Sequence, residues 1–299
     1  MFDLRQMLKA WRVSFPEEFE SDAYRERYPD LRHLDVSGLR LHWENNGIQE
    51  GRSGNRLRDR FDFVELISTE SRVLEIGPFN SPLKRGRNVK YFDVLDRNGL
   101  ITRANQIGYD PAGIPEIDFV EPNGNLRSIS KSFDYVVSSH VVEHQPNLVK
   151  HFNDVYDLLT DGGCYFIIVP DKRYCFDHFI PESTLAQVID AHFNGFTRHP
   201  LARVIEHRVL TTHNDAIRHW QGDHGERYAS LSVRYEFALN EYQSAKGGYI
   251  DVHGWYFTPE SFRQIIGGLR QVGLMSFDPI RIYPTLYGSL EFWAILQKH

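Results

Sequence analysis

Apolar and polar positions divide the chain into stretches of different rhythm. Up to about residue 59 the pattern is helical and interrupted. Residues 17–28 mix charges with aromatics, Tyr28-Pro29-Asp30 signals a turn, and 39–46 predicts a second helix. Gly47, Gly51 and Gly54 then punctuate a polar run that reads as a boundary. From residue 60 short apolar runs alternate with amphipathic segments. The pattern predicts a helix over 60–67 and strands over 72–76, 89–93, 118–120 and 133–138. Leu148, Phe152, Val155 and Leu159 then recur at helical spacing until Gly162-Gly163 stops the helix, and a strand follows over 165–169. This alternation predicts an α/β fold, a doubly wound and mostly parallel sheet with helices on both faces.

Residues 171 to about 255 break the rhythm. They are rich in histidines and aromatics and hold one long amphipathic helix, over 227–242. An insertion behind a strand's carboxyl end covers the ligand crevice of such a sheet. Regular structure returns at Thr258, a good N-cap, with Pro259 in the first helical position; Phe262, Ile265, Ile266 and Leu269 line one face, and Gly273 ends the helix. Strands at about 277–283 and 290–296 close the chain. The expected organisation is a small helical module over 1–59 and an α/β domain over 60–299, with the insertion at about 171–255.

Composition acts mainly by exclusion. The chain has 299 residues, enough for one large domain and an appendage, with 41% hydrophobic and 25% charged residues. A net charge of -6 argues against a nucleic-acid partner. Cys164 and Cys175 form no disulfide framework or metal-ligand spacing, which fits a reduced, cytoplasmic setting. No apolar run approaches the ~20 residues of a membrane span, and the first fifteen residues lack the apolar core of a signal peptide. Leu4, Met7, Leu8 and Trp11 fall on one helical face, which suits packing on the protein's own body or a weak association with a membrane surface.

The candidate chemistry starts at Val73, where the run VLEIGPFNSP takes an apolar strand into a glycine turn. Gly77 lets a ligand approach the backbone. The next strand ends in Asp93, placed to accept hydrogen bonds from both hydroxyls of a ribose. A nicotinamide-binding unit needs G-x-G-x-x-G, but Phe79 and Ser81 stand where further glycines belong. A purely structural strand-turn-helix also fits this motif taken alone.

The runs VLEIG, YFD, FDYVVSSHVVEHQPN and LLTDGGCYFIIVPD, in that order, resemble the successive motifs of class I methyltransferases, over about residues 60–299. The resemblance implies a seven-stranded Rossmann-like sheet whose last strand is antiparallel at the edge. It implies S-adenosylmethionine bound across the carboxyl ends. It assigns Glu75 and Gly77, with Pro78 in the same loop, to the methionine part and Asp93 to the ribose. The segment from Glu121 to Leu126 falls to the adenine, and His140 lies near the cofactor. The chain departs from the family's E-x-G-x-G-x-G, having E-I-G-P-F-N-S.

Methyl transfer from a sulfonium is an in-line displacement, and a hydroxyl acceptor needs a base, for which histidine is suited. His144 ranks first by position, then His224 and His178. The spacing of His213, His219, Asp223 and His224 matches no zinc signature, so no metal is expected. Asp171, Lys172 and Arg173 are placed to grip a polar acceptor, unless they form a solvated loop. His219 and Trp220, with Trp255, offer an aromatic platform, unless they are core.

The stretch FESDAYRERYPDLRHLDVSGLRLHWENNGIQEGRSGN resembles a helical module found beside bacterial polysaccharide-building glycosyltransferases. The matching residues are Phe19, Tyr24, Tyr28, Pro29, Asp30, His42, Gly47, Glu50, Gly51 and Arg52. The expectation is a cytoplasmic, S-adenosylmethionine-dependent O-methyltransferase of a sugar or glycan, associated with polysaccharide-assembly glycosyltransferases. A small-molecule methyltransferase, of a quinone or natural product, and a non-catalytic scaffold in a polysaccharide complex are the alternatives.

Overall fold

The computed structural model describes residues 14–299, so the expected N-terminal amphipathic helix lies outside the described residues. The chain opens with α1 (Ser21–Arg27) and α2 (Val36–His42), the latter capped by Asp35, whose carboxylate accepts the Gly38 N–H, and followed by a π turn, Trp43–Gly47. Next come α3 (Arg60–Glu65), β1 (Val73–Ile76) and β2 (Val89–Asp93). A helix the apolar pattern does not announce, α4 (Arg97–Ile107), precedes β3 (Phe119–Val120) and β4 (Phe133–Ser139).

Helix α5 (Leu148–Leu158) is capped by Asn147 and buries Leu148, Phe152 and Val155 along one face. It ends before the glycine pair expected to stop it. Gly162 and Gly163 lie inside β5 (Leu159–Pro170), Gly162 at φ 79°, where the register against β4 shifts between Phe133 and Tyr135. The glycines make a bulge rather than a helix end. The insertion holds α6 (Leu185–Phe193), α7 (Leu201–Leu210), α8 (Ala216–Trp220) and α9 (Leu231–Ser244). Helix α9 starts later than the pattern suggests, because Tyr228 and Ser230 take positive φ. Then come α10 (Pro259–Gln271), whose Thr258 cap is reciprocated by Ser261, β6 (Asp278–Tyr283) and β7 (Glu291–Gln297).

The strands form one seven-stranded sheet in the order β3-β2-β1-β4-β5-β7-β6. All neighbours from β3 to β5 run parallel, and β7 is antiparallel to both β5 and β6. The antiparallel strand is therefore one place in from the edge, not at it. All four residues of β1 are buried, as expected of a strand covered on both faces. Helices α5 and α10 close one face with Phe152 and Phe262, while Phe15, Leu57 and Phe63 close the other. Among the described residues no helix is long and apolar enough to cross a membrane.

Candidate functional site

The carboxyl ends of β1, β2 and β4 open into a cavity of about 390 Å³, within the ~300–1,000 Å³ of small-molecule sites. Gly77 ends β1 on the cavity wall at φ 67°, and a Cβ there would stand 3.0 Å from Val141 Cγ2. The loop behind it is held by Glu75. The buried Glu75 carboxylate accepts the main-chain N–H of Leu83 at 2.8 Å and of Lys84 at 3.0 Å. Burial pushes Glu75 up to about 7, against the pull of these two bonds. Neither Glu75 nor the buried Pro78 lines the cavity. The loop is shaped by Glu75, and its corner is the half-buried Phe79, at φ 41°, which reaches the wall in the left-handed conformation usual for glycine.

Asp93 ends β2, the strand paired beside β1, and lines the same cavity. Its carboxylate accepts the Leu95 N–H at 3.1 Å, and burial, opposed by its main-chain bonds, pushes it up to about 6. Glu121 does not reach the cavity. It accepts the amides of Asn125 and Asn123 within its own turn, and these bonds hold it below the usual carboxylate range. Gly124 and Leu126 from the same segment do line the wall, as do Leu100, Arg103 and Ile107 of α4. The sequence reading missed these three together with their helix.

The third side is a histidine-carboxylate corner. His140, at φ 54°, bonds Glu291 Oε2 at 3.0 Å, and Arg60 Nε donates to the same carboxylate at 2.8 Å. The 3₁₀ turn Val142–His144 follows. The insertion holds this turn: Gly254 N–H donates to the Glu143 carbonyl, and His199 and Tyr249 bond the His144 carbonyl. His144 reaches the cavity with Nδ1 2.9 Å from Asp251 Oδ1. Burial lowers its pKa, but the Asp251 bond and the charges of Glu143, Asp251 and Asp177 outweigh it, so His144 is raised. His253 packs edge to face on His144 with centroids 4.6 Å apart, and its Nδ1 bonds Asp177 at 2.6 Å. Asp251 and His253, both from the insertion, complete this corner. The patterning offered no signal for Asp251, while His253 stood out only as one of many histidines.

The remaining expected site residues gather elsewhere. His178 stacks on His224 at 3.7 Å, near-parallel, and on His219 at 5.3 Å. None of the three lines the cavity, so His178 and His224 do not share the wall with His144. Asp171 is buried and binds Arg173 and Thr285, at 2.6 Å for the latter, and Lys172 Nζ donates to the His178 carbonyl. Arg173 faces a second cavity, of about 400 Å³, with Glu18, Trp43 and Arg263. Trp220 stacks on Tyr174 at 3.8 Å and donates to the Ser289 carbonyl, while Trp255 is core. The acceptor grip and platform expected of Asp171, Lys172, Arg173, His219 and Trp220 therefore do not form beside this cavity. Asp171 and Trp220 instead tie the insertion to the loop between β6 and β7, through Thr285 and Ser289, while Lys172 and His219 bond carbonyls within the insertion.

A positive-φ glycine that leaves room at the end of β1, a carboxylate at the end of β2 and the apolar side chains of Leu100, Ile107 and Leu126 fit the loop, ribose and adenine of S-adenosylmethionine. Solved structures similar to this chain include an S-adenosylmethionine-dependent methyltransferase from Listeria monocytogenes, 13% identical over 80% of this chain and 96% of that one, at a TM-score of 0.38. One from Mesorhizobium loti is 14% identical over 79% and 95%, also at 0.38. The CurJ carbon methyltransferase is 11% identical over 80% of this chain and 51% of its own, about half that protein's length, at 0.36. No curated protein matches. The sequence profile of the methyltransferase domain family matches residues 49–267, and the chain belongs to that family, a class I methyltransferase whose expected cofactor is S-adenosylmethionine.

Proposed function

We propose that the protein methylates a hydroxyl group of a sugar or glycan, in the cytoplasm of a bacterium assembling surface polysaccharide. The observation that carries the choice of oxygen is the His144–Asp251 pair on the cavity wall. When bound, S-adenosylmethionine supplies an activated methyl on a sulfonium. Asp93 would hold the ribose hydroxyls, the Gly77–Phe79 corner would take the methionine part, and Leu126 would line the adenine side. A hydroxyl becomes a good nucleophile only as its proton is drawn away, and an imidazole backed by a carboxylate is suited to draw it. Activation of the acceptor thus belongs to the corner of His144. The resemblance of the N-terminal module to one found beside polysaccharide-building glycosyltransferases supports the glycan and suggests those enzymes as partners.

The test is a panel of nucleotide sugars, oligosaccharides and phenols, incubated with the full-length protein and S-adenosylmethionine and read by mass. A gain of one methyl on a sugar hydroxyl is expected. Methylation of phenols alone would redirect the reading to a small-molecule enzyme, and cofactor binding with no methylated acceptor would redirect it to a scaffold.

A further inference from the structure

Glu143 is wholly buried, and neither of its carboxylate oxygens has a hydrogen-bond partner. Buried carboxylates are normally paired with donors or bound to metal. What faces this one is imidazole: His140 Nδ1 at 3.5 Å and His253 Nε2 at 3.9 Å. Glu143, His144 and His253 each bring one ligand atom within 4.8 Å of the others. The rings of His144 and His253 meet edge to face at 87°. His178, His219 and His224 bring donors equally close, but Nδ1 of His219 and Nδ1 of His224 bond each other at 3.0 Å, and the His178 ring stacks on His224. Asp177 takes Nδ1 of His253 and leaves Nε2 turned toward Glu143, while Asp251 pairs with His144. Carboxylates behind imidazoles in this way orient metal-ligating histidines.

We propose that Glu143, His144 and His253 bind one divalent first-row transition cation. Two imidazoles and one carboxylate suit such an ion and leave coordination positions open. Of the three ligands His144 lines the cavity while Glu143 and His253 are buried behind it, so an ion between them meets the space an acceptor must occupy on the His144 side. The proposal rests on reading that cavity as the transfer site and deepens it: the ion holds and polarises the acceptor oxygen. His144 then serves as a ligand of the ion in place of taking the proton itself: the ion makes the bound hydroxyl more acidic, and its proton passes to solvent water as the methyl arrives. The spacing along the chain gave no warning, because His253 lies in the insertion, far from the other two ligands.

The experiment strips the full-length protein with a chelator and titrates it with Mn²⁺ and Zn²⁺. Calorimetry gives stoichiometry, paramagnetic resonance reports bound Mn²⁺, and S-adenosylmethionine affinity is measured on the same samples. One ion per chain is expected, bound at least about tenfold more weakly by Glu143→Gln and His253→Ala and unchanged in His178→Ala. Glu143→Gln is nearly isosteric and carries a second signature. It should raise the melting temperature of the stripped protein, by removing a buried carboxylate that has no donor, yet lose the further rise that metal gives the wild type. A wild type that takes up no ion, or a Glu143→Gln protein that binds it equally well, overturns the proposal. Cofactor binding without ion uptake defeats the cation alone. Ion uptake lost in Glu143→Gln, with no hydroxyl ever methylated, supports the cation and defeats the acceptor reading alone.

Discussion

Asp93 is the residue where charge, burial and ligand binding are most directly linked. Its folded pKa of about 6 lies above the ordinary carboxylate value of 3.8, so the fold favours the protonated form. In the protein without cofactor, Asp93 therefore contributes stability that grows as pH falls from about 6 toward 4 and is lost as pH rises through about 6. Ribose recognition has the opposite sign, because the carboxylate accepts well only when ionised. Affinity for S-adenosylmethionine should fall up to about tenfold per pH unit below 6, and Asp93→Asn should flatten that profile. At neutral pH, Asp93→Ala should weaken binding by roughly 1.5–3 kcal/mol per charged hydrogen bond lost. A calorimetric pH series on wild type and both variants checks this, and a pH-independent wild type would remove Asp93 from the ribose. Glu75 makes a different case. The motif resemblance pointed to a ligand contact, but its oxygens are spent on the Leu83 and Lys84 amides. Glu75→Ala orphans two N–H groups at roughly 1–3 kcal/mol each, so melting temperature and cofactor affinity should fall together. Affinity lost at an unchanged melting temperature would restore the direct contact. Gly77 and Asp93 were legible because strand ends announce them. Glu75's true partners were not, since a carboxylate's hydrogen bonds depend on how the loop returns to it.

Among the elements, strands with continuous apolar runs were legible, and α4 shows why another kind was not. Only Leu100 and Ala104 are buried along Arg97–Ile107, so the helix has almost no apolar stripe to reveal it. Its ends, however, are marked in the sequence. Asp96 accepts the Gly99 N–H at 2.7 Å, and Gly108 takes φ 77° just past the last turn. Cap residues rather than periodicity were the available signal. Because α4 brings Leu100, Arg103 and Ile107 to the cavity, the cap should matter to binding. Asp96→Ala should cost about 0.5–2 kcal/mol of stability and weaken cofactor binding by raising the mobility of that wall, while Asp96→Ser restores both. Amide exchange across α4 measures the effect, and protection unchanged in Asp96→Ala would show that packing alone fixes the helix. The reverse error occurred at Gly162-Gly163. A glycine pair after an amphipathic run reads as a helix stop, but β4 beside it draws the chain into extended pairing from Leu159 onward.

For the whole molecule, the sheet and its crevice followed from alternation, whereas the relation of the N-terminal module to the sheet did not. Phe19, Tyr24, Leu31, Leu39 and Trp43 form a cluster of their own, which suits an autonomous module. The segments flanking it behave differently. Phe15 packs edge to face on Phe166 at 5.4 Å, and Leu57 lies in the same core as Phe63. The Pro16 carbonyl accepts from Tyr283 and Arg281, and the Glu18 carboxylate accepts from the Ile282 N–H and Arg263. These hydrogen bonds join residues more than two hundred positions apart and leave no local pattern. A cut after residue 59 therefore removes two side chains from the sheet's second face and strips partners from α10 and β6. Burying a phenylalanine is worth ~3–5 kcal/mol against alanine, so Phe15→Ala alone should lower the melting temperature by several degrees. Deleting residues 1–59 should lower it further. The residues lining the cofactor cavity all come after residue 75. At temperatures where the truncated protein remains folded, its affinity for S-adenosylmethionine should thus stay within about twofold of the full chain. Thermal melts and calorimetric titrations on the full chain, Phe15→Ala and the truncation separate the outcomes. An unchanged melting temperature in the truncation would make the module a freely attached adaptor, and loss of cofactor affinity in a folded truncation would tie the module to the binding cavity itself.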